Sequence, residues 1–424
     1  MTRTCPRCGA PVADNTDFCW MCGLPLRPEA GTVATVPPPK RKRRLALKIL
    51  LGIVVFVAVA CVVFLVAASV WDPVALPLSV GAAVVPALFY SWVVLSLDRY
   101  EKEPRRAILA AFGWGAVGAV LFSLIAEIIF DQILITSVGE DGATFLSIAI
   151  GAPFIEEFFK GIALLALLWF FRQEFDNVLD GLVYGALIGL GFAMTENILY
   201  FGQAYFEHGA RGLGELFIVR AVIDGFGHAL YTGTTGAALG WSRSRYHRGT
   251  GRIVVPIVGF GLAVFQHFLW NTGLIVIAGI QGGDASIWSV ILIEMPLFTL
   301  PSLIILYLIA RTSSRRELEI LRTELAPEVQ YGVLTPEEYR TLTTEPLRRQ
   351  ALHTARIRGG RPLQKTLQHF FQVAAELAFR KYHLSRGEHP KPGQQAPEDA
   401  YRAELARLRQ ELASAGVQPA SFAG

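Results

Sequence analysis

Charge is scarce in this chain, and the places where it is scarcest decide what kind of protein it can be. Of 424 residues, 17% are charged and 52% apolar, too little polarity for an ordinary soluble globule. Between Leu45 and Ala310 charge thins further, leaving stretches of about 20 residues or more, the length that crosses a roughly 30 Å hydrocarbon layer. Cysteine is rare too: of five, four stand in two close pairs, a pattern that argues against a disulfide scaffold. There is no Ser-centred nucleophile turn, no Gly-rich phosphate loop, no HExxH helix and no convincing internal repeat. A cleavable signal peptide is not expected, because the first apolar run starts only at residue 45.

What is present is a series of eight apolar runs, at about 45–70, 74–97, 107–130, 143–171, 178–201, 216–241, 253–280 and 286–310. They predict an all-α fold, a polytopic membrane helix bundle of about eight spans. Basic residues gather at Lys40 to Arg44, Arg99 to Arg106, Arg243 to Arg252 and Arg311 to Arg316, while the alternate loops hold only Arg211. Positive loops stay on the cytoplasmic side, so a multi-pass protein of the cytoplasmic membrane with both termini inside is expected.

Four regions follow from these shifts. Residues 1–26 read as a zinc ribbon, in which Cys5, Cys8, Cys19 and Cys22 aim four thiolates at one closed, structural tetrahedral site. Such a ribbon is too small to hold a core without metal, so zinc binding and folding are expected to be one event. Residues 27–44 form a Pro-rich, basic linker, and 45–310 the membrane core. Residues 311–424 read as a cytoplasmic helical tail: Thr335-Pro336-Glu337-Glu338 is a capped helix start. In that tail Leu367, Phe370, Phe371, Ala374, Leu377 and Ala378 make one apolar stripe, and Tyr401, Leu405, Leu408 and Leu412 another. Both stripes are assigned to helical packing. The ribbon or the tail could bind a cytoplasmic protein; no nucleic acid is expected.

The exceptions inside the apolar runs carry the chemistry. Glu156, Glu157 and Lys160 interrupt the fourth run, with Lys160 within one turn of either carboxylate. Glu196 and Asn197 close the fifth, where they read either as interfacial residues in water or as a wet opening to a cavity. Gly185, Gly189 and Ala193 in that run, at four-residue spacing, predict close packing on a neighbour. Arg220, Asp224, His228 and Thr232 make a polar stripe at the same spacing along the sixth run. His267 and Asn271 lie one turn apart in the seventh. An ionised side chain at mid-bilayer costs roughly 2.5–3.5 kcal/mol on insertion scales, so groups at matching depth should face one another or water. A glutamate with two histidines can hydrolyse: the carboxylate takes a proton from water, and imidazole or amide groups stabilise an oxyanion. The same residue types could hold a zinc ion with one open position, or form the proton relay of a transporter.

The segments IEEFFK (155–160), GFAMTENILY (191–200), GHALYTGTTG (227–236) and HFLWN (267–271) resemble the PrsW family of membrane proteases, within the wider group of type II CAAX prenyl endopeptidases and Abi proteins. The resemblance covers about residues 75–310. It implies an intramembrane endopeptidase of glutamate type acting on a membrane-anchored protein, such as an anti-sigma factor in a signalling pathway, with no metal at the catalytic site. Glu156 then matches the general base and His228 its partner in positioning water. His267 and Asn271 match the oxyanion pair, and Glu157 and Lys160 the supporting carboxylate and cation. Where the wider group tends to have an arginine one position after Lys160, and a phenylalanine where Asp224 stands, this chain departs towards the PrsW branch. A membrane scaffold that has lost catalysis is the remaining alternative, against which stands the retention of every matched polar residue.

Overall fold

The computed structural model describes residues 2–5, 11–13, 58–66, 68–98, 100, 103–172, 175–245, 249–282, 287–387 and 397–415. The chain divides into two units, Met1–Val57 and Ala58–Gly424. In the first, strands β1 (Thr2–Thr4) and β2 (Pro11–Ala13) pair antiparallel, with Thr2 opposite Ala13 and Thr4 opposite Pro11. Cys5 is buried. The other three expected zinc ligands, Cys8, Cys19 and Cys22, lie outside the described residues, as does the linker 27–44.

The second unit is helical. Helix α1 covers 58–66, followed by α2 (Ala75–Leu95), α3 (Arg105–Val138), α4 (Glu140–Leu146) and α5 (Ala152–Phe170). Then come α6 (Val178–Phe217), α7 (Gly227–Arg245), α8 (Gly251–Gln281) and α9 (Val290–Gln330). Helices α10 (Pro336–Leu342), α11 (Glu345–Ser385) and α12 (Glu398–Ser414) complete it.

Five helices among the described residues are long and apolar enough to cross a membrane, against the eight runs expected. Three causes account for the difference. The stretch Val178–Arg245 counts once but is 68 residues long, roughly 100 Å if straight. It bends at Gly209 (φ 65) and leaves helical geometry after the wide turn Ile218–Ile223, so it holds two of the expected runs. The run 143–171 corresponds to α4, the wide turn Ser147–Gly151 and α5, and its three central charges disqualify it by composition. All three are buried, so the protein and not lipid receives them. The first run is described only from residue 58 onward.

Helix α6 is the axis of the bundle. The Val178–Arg245 stretch has 83% of its apolar window buried, against 18–39% for the other four, so those present their apolar faces outward. Its start is fixed by a capping box: Asn177 Oδ1 accepts from the Leu179 and Asp180 amides, while Asp180 accepts from the Asn177 amide at 2.8 Å. The expected small-residue packing is realised against α7. A methyl group at Gly185 would run into the Thr232 carbonyl, and one at Gly189 into the His228 carbonyl. Only glycine lets these two backbones approach so closely. Ala193 is half-buried one turn further on.

Wide turns recur where neighbours donate side-chain hydrogen bonds. Such a turn loosens the regular i→i−4 ladder and leaves carbonyls without an intrahelical donor. In α3 the turn Trp114–Ala119 offers the Ala116 carbonyl to the Thr195 hydroxyl at 2.8 Å. The turn ahead of α5 offers Ile148 O to Asn271 Nδ2 at 2.9 Å, and the one after α6 offers Ala221 O to the Tyr90 hydroxyl at 2.9 Å.

The tail packs as its stripes require. Leu367, Phe370, Phe371, Ala374, Leu377 and Ala378 join Leu405, Leu408 and Leu412 in one core with Leu321 and Leu325 of α9, and Tyr401 packs against it. Helix α9 passes position 310 without a break and so ties the apolar segment to the tail core. The Thr335 capping box forms as expected, and the Glu338 carboxylate that closes it also takes Arg409 of α12.

Candidate active site

Lys160 is the centre of the buried polar cluster. It sits on α5 with 0% exposure, and its ammonium donates to Glu156 Oε2 at 2.9 Å, to Glu157 Oε1 at 2.9 Å and to His228 Nδ1 at 2.9 Å. The first two partners follow from helix geometry, because residues three and four apart lie on one face. The third crosses from α7, where the close approach at Gly189 brings His228 against α5 and α6. The Phe192 ring of α6 covers the ammonium at 3.8 Å. With three acceptors for three N–H groups, the cation is fully satisfied, the condition under which a buried ion pair is tolerated.

Two further layers hold this core. His228 Nε2 lies 2.9 Å from Glu196 Oε2, and the Arg220 guanidinium binds Glu196 at 2.5 Å and Asn197 Oδ1 at 2.7 Å. Glu196 is therefore an internal partner of the histidine, not an interfacial residue. Because Lys160 can only donate, His228 Nδ1 is the acceptor and Nε2–H the donor to Glu196, which fixes a neutral tautomer. On the other side Thr232 donates to Glu157 Oε2 at 2.8 Å. His267 of α8 places Nδ1 3.6 Å from Glu157 Oε1, and its ring stacks on Tyr231 at 4.9 Å.

The expected continuous stripe on the sixth run is corrected. Arg220 lies in the wide turn Ile218–Ile223, Asp224 follows it outside helical geometry, and α7 begins only at Gly227. The interruption lets Arg220 reach back to α6 while His228 and Thr232 face α5, which a single straight helix could not do. Asp224 is buried, with the Tyr231 side chain as its hydrogen-bond partner and Arg220 and Glu196 within electrostatic reach. Asn271 also stands aside, with its amide given to Ile148 O. The other seven expected site residues, Glu156, Glu157, Lys160, Glu196, Asn197, His228 and His267, are brought together.

Two acids inside the apolar runs also escaped the sequence reading, one half-buried and one buried. Glu127 of α3 lies within electrostatic reach of Lys160 and Glu196, and its Oε1 has no hydrogen-bond partner among the described residues. Glu294 of α9, 1% exposed, presses its carboxylate against Gly273 of α8, where a side chain would have no room. Each was visible as an isolated acid in an apolar run, the signal used for the other spans.

Glu156, His228 and His267 offer ligand atoms that lie within 4.8 Å of one another. One carboxylate and two imidazoles match the ligand set of a zinc-type site. The buried His267 Nδ1, without a hydrogen-bond partner among the described residues, leaves a lone pair available. By residue type the donor set fits a metal ion, provided that His228 Nδ1 is released from Lys160, the cation that already meets two of the three.

Residues 103–300 match the family model for PrsW family intramembrane metalloprotease, a description that includes a metal where the sequence reading expected none. Among curated proteins, Protease PrsW of Bacillus subtilis (strain 168) is 30% identical over 164 residues, 39% of this chain and 68% of that protein. Protease PrsW of Geobacillus kaustophilus (strain HTA426) is 31% identical over 156 residues, 36% of this chain and 61% of its own length. Protease PrsW of Clostridioides difficile (strain 630) is 28% identical over 154 residues, again 36% and 61%. No solved structure matches the chain.

Proposed function

The chain is a peptidase belonging to the PrsW family of intramembrane proteases, and from that membership we propose that it cuts a peptide bond in a membrane-anchored protein by glutamate-centred hydrolysis. The observation that carries the reading is the convergence of Glu156, Glu157 and His228 on Lys160, with Glu196 and His267 closing the ring. Glu156 takes the proton of the attacking water and returns it to the leaving amine, and His228, oriented by Glu196, holds that water in line once its Nδ1 exchanges the Lys160 ammonium for the water. Arg220 keeps Glu196 in place. His267 turns towards the oxyanion of the tetrahedral intermediate, and Asn271, one helical turn away, joins it once its amide leaves the Ile148 carbonyl. Lys160 bridges the two carboxylates of α5 and offsets their charge, with Glu157 as the supporting carboxylate.

A metal of the kind named in the family description would be held by Glu156, His228 and His267, and would supply Lewis-acid polarisation of the scissile carbonyl. The wider reading places eight spans in the cytoplasmic membrane, with both termini, the zinc ribbon and the tail inside. The substrate class is a single-span protein, an anti-sigma factor being one example, and the protease relatives turn the choice away from a transporter.

The test is co-expression with a tagged single-span candidate substrate. Glu156→Gln and His267→Ala are each expected to lower cleavage by about 10²–10⁴-fold, the contribution typical of a positioned acid–base group. Cleavage at the wild-type rate by both variants would remove these residues from the mechanism.

A further inference from the structure

A cavity of about 890 Å³ lies on the face of α7 turned away from the Lys160 cluster, enclosed by α7, α8, α9 and the end of α11. Its two ends differ in chemistry. The walls along α8 and α9 are apolar: Val254, Val258, Leu262 and Phe265 face Leu297 and Ile305. Several of these side chains are about half exposed or more, as expected of a slot opening sideways into lipid. At the other end stand Arg245, Arg316 and Arg386.

The arginine end is built, not incidental. Arg386 binds the Tyr382 hydroxyl at 2.7 Å and the Ser244 carbonyl at 3.0 Å. Arg316 approaches the same hydroxyl at 3.4 Å, so two guanidinium groups gather at one point. Of the two acids at this end, Asp176 is held by His383 at 2.6 Å. The other, Glu317, is 3% exposed, and its Oε2 has no hydrogen-bond partner among the described residues.

We propose that this slot binds an anionic glycerophospholipid, with its phosphate on Arg245, Arg316 and Arg386 and its acyl chains between α8 and α9. Basic pockets between membrane helices on the positive side bind such headgroups, and guanidinium forks match phosphate oxygens. A headgroup hydroxyl would meet Glu317 Oε2. The length agrees: from Val254 to Trp270 the α8 wall runs roughly 24 Å at 1.5 Å per residue. An extended peptide would leave backbone groups unpaired against apolar walls. Along the walls, Thr234 and Ser302 each hydrogen-bond Gln266, which spends these polar side chains on one another. The deep end reaches Tyr231, which stacks on His267, so an occupant would touch a side chain that supports the catalytic cluster.

The experiment uses the full chain in detergent, stripped of lipid and then given phosphatidylglycerol or phosphatidylcholine, with binding read by native mass spectrometry and thermal midpoint. Phosphatidylglycerol should bind and raise the midpoint, and phosphatidylcholine should bind at least tenfold more weakly. Arg245→Glu with Arg316→Glu, both exposed positions, should abolish the preference. Leu262→Trp, which fills the slot from its open side, should reduce binding of either lipid. Equal binding of the two lipids, or an unchanged preference in the double variant, would overturn the proposal. So would a photo-crosslinker at Leu262 that captures the transmembrane segment of a substrate in place of lipid.

Discussion

Lys160 shows how one side chain can license others. Glu156 and Glu157 are adjacent, buried carboxylates, and two such charges side by side in a dry interior would repel and be desolvated together. The ammonium meets both and takes His228 as its third acceptor. Replacing it with the apolar Lys160→Met would leave both carboxylates without their cation. Removing one partner of a buried ion pair costs about 3–5 kcal/mol, so this variant is expected to lower the thermal unfolding midpoint markedly as well as stop cleavage. Glu156→Gln, which keeps a hydrogen-bond acceptor, should stop cleavage with little change in that midpoint. A Lys160→Met midpoint equal to wild type would mean that the three contacts carry no stability. The pairing of Lys160 with the two glutamates was legible from spacing alone, because helix geometry puts residues three and four apart together. Its third partner, 68 positions along the chain, was not.

At the level of elements, the site depends on how closely α6 and α7 approach. Gly185 and Gly189 set that distance, and His228 and Thr232 are the residues whose backbone they admit. Gly189→Leu is therefore expected to push α7 away, break the His228 contacts with Lys160 and Glu196, and abolish cleavage while helical content is retained. Gly161→Ala, on α5 beside Lys160, is the control: a methyl there meets nothing within 4 Å. It should leave activity intact and gain up to about 1 kcal/mol from helix propensity. Activity and circular dichroism of the two variants, measured together, distinguish a packing role from a general intolerance of glycine replacement. The small-residue spacing was readable in sequence. The break at Asp224 was not, since the four-residue rhythm from Arg220 to Thr232 continues across a point where the helix does not. Wide turns and a glycine-rich corner are invisible to periodicity, because they change the backbone while leaving the spacing of side chains unaltered.

For the whole molecule, the separation of Met1–Val57 from Ala58–Gly424 makes metal content a decisive quantity. Deleting residues 1–40 is expected to leave cleavage by the membrane core intact while removing one zinc per chain. Elemental analysis of full-length and shortened protein reads the ribbon ion by difference. Any metal that stays with the shortened protein, and is lost on His228→Ala or His267→Ala, belongs to the Glu156, His228 and His267 set. An unchanged zinc content after the deletion would refute the ribbon assignment. The tail, by contrast, shares helix α9 with the apolar core, and its packing stripes were correctly legible because each amphipathic face had a partner face within the same region.

Sequence by itself determined that this is a helical membrane protein, which four segments carry its chemistry, and which family it belongs to, because hydrophobic length and motif spacing are local properties of the chain. Tertiary structure alone decided that Glu196 faces His228 and not water, that Asn271 is spent on the Ile148 carbonyl, and that Glu127 and Glu294 each turn a carboxylate oxygen into the bundle. The physical reason is that a carboxylate in an apolar run announces only that it must find a partner. Which partner it finds depends on backbone approach and on breaks in helices from distant parts of the chain.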